Sequence, residues 1–230
     1  MSNLNTILAI SETVHITDQR FVGQVISRNQ RISTSELITV VPFMFEFKPH
    51  NYLLYSQNRA LLANLRYYDK SLTQYLNFGT TGWTNYINYQ GDLTPSELAA
   101  CQWETSSAAQ NMVLGNLPAI ASQAYIVRAG DFCQVGEYTY IATQDVQRGS
   151  GSTVTIPVHR NLINGPLGSA VNAVIGQYGT TVSMGGNTYT GVTFPVILQQ
   201  YPSYTLVPMT NDSFISWSST FKAFEAVTAT

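Results

Sequence analysis

The sequence predicts a mainly β protein, a β-sandwich or barrel with one substantial flanking α-helix near residues 52–70. Short runs rich in β-branched and aromatic residues alternate with turn residues along most of the chain, as they do in paired strands. The segment LITVVPFMFEFK, residues 37–48, alternates apolar and polar positions with a period of two. Helical spacing of apolar residues is pronounced over one long segment, residues 51–72.

Length and composition favour an ordered protein that associates with other chains. The chain has 230 residues, of which 44% are hydrophobic, enough to bury a sizeable core in a single structural unit over residues 1–230. Only 10% are charged, against about 25% in an average globular protein. Because a free monomer normally keeps a charged surface for solubility, this deficit favours a subunit that buries much of its surface in an assembly.

Charge and hydropathy argue against nucleic acid and membrane partners. A net charge of −2 provides no basic excess to neutralise phosphates, so we expect neither nucleic-acid sequence recognition nor binding to anionic lipid. The start MSNLNTILAISE lacks the positive region of a signal peptide, and no apolar run is long enough to cross a bilayer, so we expect no membrane insertion. Cys101 and Cys133 lie outside any motif, and buried free thiols are favoured over a disulfide.

The amino-terminal part predicts three strands. Residues 13–17 and 21–26 flank a break at Asp18 and are expected to pair as a hairpin. Residues 37–48 follow, and Pro42, which lacks an N–H, marks the start of the strand, an edge or a bulge. The apolar face of this strand consists of Val41, Phe43, Phe45 and Phe47.

The period changes after Pro49, and residues 51–72 predict the helix. Asn51 or Ser56 is a candidate cap for its start. Its apolar positions are Leu54, Leu61, Leu65, Tyr68 and Leu72. A strand over residues 75–78 is expected to follow it.

Residues 79–92 are aromatic and polar without a clear period, which predicts a surface loop. Residues 79–118 are a candidate loop insertion between the strand-helix-strand part and the strands that follow. Trp83, Tyr86 and Tyr89 admit two interpretations: they stack on sugar or base rings, or they anchor the loop or a subunit contact. The second interpretation is favoured.

The segment SQAYIVRAGDFCQVGEYTYIATQDVQRGSGSTVTIPVHRN, residues 122–161, predicts a meander of strands. Turns at residues 129–131 and 136–137 are short, so neighbouring strands are expected to pair antiparallel. Asp131 and Asp145 are expected to accept backbone N–H bonds at turns. The strands are expected at residues 124–127, 132–135, 138–143 and 153–158, with a loop at residues 148–152.

Two further local signals are distinct. The order Thr94, Pro95, Glu97 supplies a cap, a first-position proline and a third-position glutamate, which predicts a short helix. Gly185-Gly186 predicts a two-residue hairpin between residues 180–184 and 187–192. Later strands are expected at residues 193–199, 203–207, 214–217 and 221–227, the last of which is expected to close a sheet.

Little in the sequence indicates catalysis, so the protein is predicted not to be an enzyme and to bind no cofactor. None of the histidines, His15, His50 and His159, has the spacing of metal ligands. No nucleophile elbow is present, and the glycine-rich region from Gly176 lacks the lysine and following helix of a phosphate-binding loop. His159 and Arg160 end a strand at a loop, where a surface or interface role is favoured.

The order of these elements resembles that of tail and baseplate proteins of tailed bacteriophages, in the group of distal-tail-like and tail-tube-like ring subunits. Trp217, Phe221 and Glu225 have spacing similar to that group's carboxyl-terminal strands, whereas the aromatic segment 79–92 departs from its pattern. The segments that carry the resemblance are FMFEFKPHNYLLYSQNRALLANLRYYDKSLTQYLNF, AYIVRAGDFCQVGEYTYIATQDVQRGSGSTVTIPVHRNL, VTFPVILQQYPSYTLVPM and FISWSSTFKAFEAV.

This resemblance implies a tail-tube-like fold whose copies close into a hexameric ring that connects the tail tube with the baseplate or tail tip. It implies a virion location after assembly in the host cytoplasm, with copies of the chain and other tail or baseplate proteins as partners. The candidate inter-subunit contacts are Trp83, Tyr86, Tyr89, Arg148, His159 and Arg160. The alternatives are a carbohydrate-binding β-sandwich that recognises host-surface glycans through the three aromatic residues, and a capsid or adhesin sandwich.

Overall fold

The described part of the chain is mostly β-strand, as predicted. A computed structural model describes residues 3–18, 22–26, 32–36, 41–67, 72–105, 109–163, 169–179 and 181–227. The α-helices are α1 (Asn3–Ala9), α2 (Tyr55–Tyr67) and α3 (Pro95–Ala100), and short 3₁₀ helices span Phe78–Thr80 and Thr84–Tyr86. Strands β1 to β22 span, in order, Ser11–Asp18, Val22–Ile26, Ile32–Glu36, Phe43–Pro49, Leu53–Leu54, Gln74–Asn77, Gln102–Glu104, Asn111–Gly115, Tyr125–Val127, Phe132–Val135, Tyr138–Ile141, Val146–Gln147, Val154–Pro157, Val171–Asn172, Val174–Ile175, Tyr178–Gly179, Val182–Met184, Asn187–Tyr189, Thr193–Gln200, Tyr204–Met209, Asp212–Trp217 and Phe221–Glu225.

The main sheet has five strands in the order β1-β4-β22-β19-β6, with antiparallel neighbours. Strand β4 begins directly after Pro42, and its Phe43, Phe45 and Phe47 are buried while the residues between them are half-buried. The predicted alternation of this strand is therefore confirmed, whereas residues 37–40 of the prediction lie outside the described residues. The first hydrophobic core forms on these phenylalanines, with α1 and α2 packed against it.

The predicted pairing of residues 13–17 with residues 21–26 is wrong. Strand β1 pairs with β4, from Ser11 opposite Pro49 to Asp18 opposite Phe43. Strand β2 pairs instead with β3; Phe21 lies outside the described residues. The pairing with β4 places Val14 of β1 in the first core, which a local hairpin would not achieve.

The substantial helix is confirmed over Tyr55–Tyr67, but its bounds and cap differ from the prediction. Leu54 lies in strand β5, which pairs with β21, so the helix begins later than expected. Ser56 does not cap it, since its N–H and hydroxyl both donate to Asp212. Leu62 and Leu65 are the buried residues, Leu72 lies beyond the helix and is exposed, and Tyr68 is outside the described residues.

A second hydrophobic core lies between the sheets β13-β8-β7-β14 and β11-β10-β15-β16. Trp103 is fully buried in it, and its indole N–H donates to the Gln134 carbonyl at 2.8 Å. Leu98 of α3 and Leu114 of β8 are buried in the same core. The second half of residues 79–118 thus forms α3, β7 and β8 and supplies core side chains, and its description as an insertion stays a prediction.

The predicted meander is correct at one hairpin. Strands β10 and β11 pair through the turn at residues 136–137, where Gly136 has a φ of 58°. Strand β9 pairs with β12, and β13 pairs with β8, instead of with their expected neighbours. As predicted, the Asp131 carboxylate accepts a backbone N–H bond at its turn, from Arg128, and it also accepts the N–H of the distant Gln90.

The carboxyl-terminal third follows the prediction closely. Strands β17 and β18 form the two-residue hairpin, and both Gly185 and Gly186 have positive φ, as such a turn requires; residue 180 lies outside the described residues. Strand β22 is the central strand of the main sheet and joins β4 to β19. Strands β20 and β21 form a hairpin whose outer neighbour is β5.

The short helix α3 begins with the predicted capping box: Thr94 and Glu97 each bond the other's backbone N–H. Thr94→Ala is expected to lower the free energy of unfolding by about 1 kcal/mol, because an orphan N–H loses its acceptor. Urea unfolding measures this loss. Ser183→Ala, which removes an exposed hydroxyl on β17 away from the cap, is the control and is expected to change stability by less than about 0.5 kcal/mol. Equal losses in the two variants would contradict a capping role.

Candidate functional site

The structure places the predicted contact residues in three separate segments and not in one site. Trp83, Tyr86 and Tyr89 lie in the segment between β6 and α3, Arg148 follows β12, and His159 and Arg160 follow β13. Each group has its own hydrogen-bond partners within the chain. These partners decide which side chains remain accessible to another molecule.

The aromatic segment is held by its own polar atoms. The Trp83 indole N–H donates to the Leu8 carbonyl at 3.0 Å, and the Tyr89 hydroxyl donates to the Ile126 carbonyl at 2.6 Å. The Tyr86 hydroxyl donates to the Val14 carbonyl on β1. Burial raises the pKa of Tyr89, which keeps its hydroxyl protonated and able to donate. The three residues therefore anchor the segment between the two cores.

This arrangement gives little support to a sugar-stacking platform. All three side chains are half-buried, and the Trp83 and Tyr86 rings are inclined by 56°. Tyr89 packs edge-on against Tyr178, at 6.4 Å between ring centroids. Flat carbohydrate platforms need coplanar exposed faces. Glycan binding by these residues stays a prediction without a geometric observation in its favour.

Arg148 anchors the glycine-serine loop after β12. Its Nε donates to the Pro118 carbonyl at 3.0 Å, and its guanidinium also donates to the Gly151 carbonyl. Gly149 beside it has a φ of 58°, a conformation that favours glycine. The loop thus has a defined shape at the surface, and its role in a subunit contact stays a prediction.

Arg160 is buried, so its predicted role as a surface contact is wrong. Its side chain is fully enclosed and forms a bidentate ion pair with Glu225 at 2.5 and 2.6 Å. The guanidinium also donates to the Val41 and Thr139 carbonyls and lies 4.9 Å from the Phe43 ring centroid. The pair joins the beginning of β4, strand β11 and the end of β22. It therefore links the main sheet to the sheet β11-β10-β15-β16, and we call these two parts the two halves of the fold.

His159 beside it is half-buried and closes a sheet edge. Its Nδ1 accepts the Ile141 N–H at 3.0 Å, and its ring lies 5.2 Å from the Phe43 ring. Two other edges are covered in the same manner, since Tyr86 bonds the outer side of β1 and Asn5 of α1 accepts the Asn77 N–H on β6. Side chains of the chain itself therefore cover edges that would otherwise pair with other molecules.

Strand β20 is an edge left open. It ends the sheet β20-β21-β5, and no strand of the described chain lies beyond it. Every residue from Thr205 to Met209 is exposed, so both faces of this strand meet solvent as well as its edge. Open apolar edge strands are unusual in monomeric proteins because they invite pairing with another chain.

The layer around β20 also carries most of the large exposed apolar side chains. Tyr52 and Tyr67 are 81% and 75% exposed, and Leu206, Val207 and Met209 are more than two-fifths exposed. Leu206 and Val207 are consecutive on β20 and point to opposite faces, so these five side chains do not form one face. We call them together the apolar surface. The sequence contains one signal of this surface, the uncharged run YTLVPM, from which only a strand is predicted.

Two contacts give this layer a defined shape. The Ser56 hydroxyl and N–H bond Asp212, and these bonds lower the pKa of that carboxyl. The Arg66 guanidinium lies 5.5 Å from the Tyr201 ring centroid and 5.8 Å from that of Tyr204. Burial raises the pKa of Tyr201 to about 12. Helix α2 is thereby tied to the β20–β21 hairpin.

The thiols offer little reactivity. Cys101 and Cys133 are free and buried, as predicted. Burial raises the pKa of Cys101 to about 11 and raises that of Cys133 as well, so both remain protonated at neutral pH. Within the described ranges, no three His, Cys, Asp or Glu side chains are grouped so as to hold a metal ion. No helix of that part of the chain has the length and apolarity needed to cross a membrane.

The sequence was compared with protein-family models and with curated proteins. No protein-family model matches the chain, and no curated protein matches its sequence. Geometry and chemistry alone therefore support the functional proposal.

Proposed function

We propose that the protein is a structural virion component, a ring-forming subunit that connects the tail tube of a phage with its baseplate or tail tip. The observation that carries this proposal is the apolar surface on a chain in which only 10% of residues are charged. Large apolar side chains exposed around an open edge strand mark a region that another protein covers. Copies of the chain and other tail proteins would cover it in the assembled particle.

Bonds between distant strands, which make the fold rigid, support the same proposal. The Arg160–Glu225 pair bridges the two halves of the fold, and the Thr193 N–H on β19 donates to the buried Gln134 side chain on β10 at 2.8 Å. Anchored surface loops, such as the one held by Arg148, add to this rigidity. A subunit that must keep its shape within a ring benefits from such cross-links.

Sizing of the purified protein tests the proposal. We expect light scattering to report oligomers that grow with concentration, and negative-stain microscopy to reveal rings. Tyr52→Lys combined with Tyr67→Lys is expected to weaken association by roughly tenfold or more, because burying these side chains contributes to the contact. Val171→Lys, at an exposed apolar position on β14, is the matched control and should leave association unchanged. A persistent monomer that binds no other tail protein would contradict the proposal.

A further inference from the structure

The open edge of β20 presents backbone hydrogen-bonding groups in a definite pattern. The Ser218 N–H donates to the Ser203 carbonyl at 3.0 Å, which makes that pair a hydrogen-bonded one in the antiparallel ladder with β21. Hydrogen-bonded pairs alternate with non-bonded pairs along such a ladder. Residues 205, 207 and 209 therefore bond β21, and the N–H and C=O groups of Tyr204 and Leu206 point away from it.

Prolines bound this window of free backbone groups. Pro208, opposite Ser213, has an outward position but no N–H to offer. Pro202, on the other side, also lacks an N–H and is buried. Each proline stands three residues from Thr205. The free donors of the edge are therefore arranged symmetrically about Thr205.

We propose that β20 pairs antiparallel with β20 of a second copy of this chain, about a two-fold axis through Thr205. In this register Tyr204 of one copy lies opposite Leu206 of the other, and the two pairs exchange about four N–H···O bonds. A symmetric window fits its own copy, because each free donor then meets a free acceptor. The segment YPSYTLVPM contains no charged residue, so two identical strands meet without like-charge repulsion.

The side chains agree with this pairing. Across the axis, Leu206 would pack beside the half-buried Tyr204 ring of the second copy, and the two Thr205 side chains would face one another. The pairing also removes from water part of the apolar surface, including Leu206 and Val207. A two-fold contact joins copies in pairs and does not by itself close a ring, so this inference does not rest on the proposed function.

A disulfide across the axis tests the register. In the proposed pair, Thr205 lies opposite its own copy at a non-hydrogen-bonded position, where Cα atoms are about 4.5 Å apart, within disulfide range. Thr205→Cys is expected to form covalent dimers as the main product of mild oxidation. Val207→Cys is the matched control, because its copies would lie about 13 Å apart and should not link. The native cysteines are buried and give little background.

A second pair of variants tests the backbone bonds. Leu206→Pro removes an outward donor without touching the ladder with β21, and is expected to weaken dimers at least tenfold in light scattering. Leu206→Thr keeps the donor and should retain dimers. Equal linking of the two cysteine variants, or no linking of Thr205→Cys, would overturn the proposal. These two outcomes decide the matter even if Leu206→Pro fails to fold. Rings without the Thr205→Cys link would refute this contact alone, and linked dimers that never form rings would refute the ring alone.

Discussion

Replacing Glu225 with glutamine is expected to lower the free energy of unfolding by about 3–5 kcal/mol, because it leaves a buried guanidinium without its counter-charge. Neither side chain of the Arg160–Glu225 pair has any solvent exposure. The Glu225 carboxylate also accepts the Phe43 N–H at 3.0 Å, so the substitution disturbs the start of β4 as well. Urea unfolding followed by circular dichroism measures the loss.

Glu46→Gln is the matched control for this variant. Glu46 on β4 pairs with Lys222 on β22 at 2.7 Å, so the control removes a carboxylate from an ion pair between β4 and β22, the two strands that the bond from the Phe43 N–H to Glu225 also links. That pair is about one-third exposed, and its loss is expected to cost less than about 1 kcal/mol. Similar losses in the two variants would show that burial of the Arg160 pair has no energetic importance.

A double replacement separates the charge from the packing. Arg160→Met combined with Glu225→Leu removes both buried charges and keeps apolar volume at the junction. It is expected to recover much of the stability that Glu225→Gln loses, since well-packed apolar pairs often equal buried ion pairs in stability. A double variant as unstable as Glu225→Gln would show that apolar packing does not replace the hydrogen bonds that this variant loses, namely those from Arg160 to the Val41 and Thr139 carbonyls and that from the Phe43 N–H to Glu225.

The features that sequence analysis predicted correctly are local. The alternation of β4, the capping box at Thr94 and the Gly185-Gly186 turn each depend on residues a few positions apart, and the structure contains all three. Strand pairing depends on distant partners. Strand β1 pairs with β4 because their apolar faces share one core, and nothing within residues 11–26 indicates that choice.

The prediction for Arg160 is wrong for the same reason, because its partner is distant in sequence. A charged residue beside a loop is normally exposed, so a surface role was the reasonable prediction. Its carboxylate partner stands 65 residues further along the chain, and only the folded sheet brings the two together. The anchoring of Trp83 and Tyr86 was among the predicted alternatives, but their acceptors on Leu8 and Val14 are likewise distant in sequence.

The candidate surface was predictable in part. A strand over residues 203–207 was expected, and β20 occupies Tyr204–Met209. Its position at an open edge depends on how the other strands pair. Strand β5 pairs with the second edge of β21, and no described strand pairs with the outer edge of β20. The charge deficit of the whole chain pointed to association, without indicating where on the surface it would occur.

Phe194→Ala is expected to lower the free energy of unfolding by about 3–5 kcal/mol, the usual cost of removing a large aromatic side chain from a packed core. The Phe194 ring on β19 is fully buried, with centroids 5.0 Å from Phe45 and 5.4 Å from Phe43. It also lies 6.0 Å from Phe132 on β10, the strand that contributes Cys133 to the second core. Phe214→Ala, at a half-buried ring with Tyr52 as its aromatic neighbour, should cost well under half as much.

The shape of the unfolding curve then tests whether the chain is one structural unit. Trp103 lies in the second core, whereas Trp217 lies in the first and Trp83 packs against the first, so tryptophan fluorescence and circular dichroism together follow both cores. If Phe194 and the Arg160–Glu225 pair join the two cores energetically, Phe194→Ala shifts one cooperative transition to lower urea without splitting it. Two separate transitions, with the Trp103 core unaffected, would mean that each core folds alone. A ring built from this chain would then have a hinge where the proposed function requires rigidity.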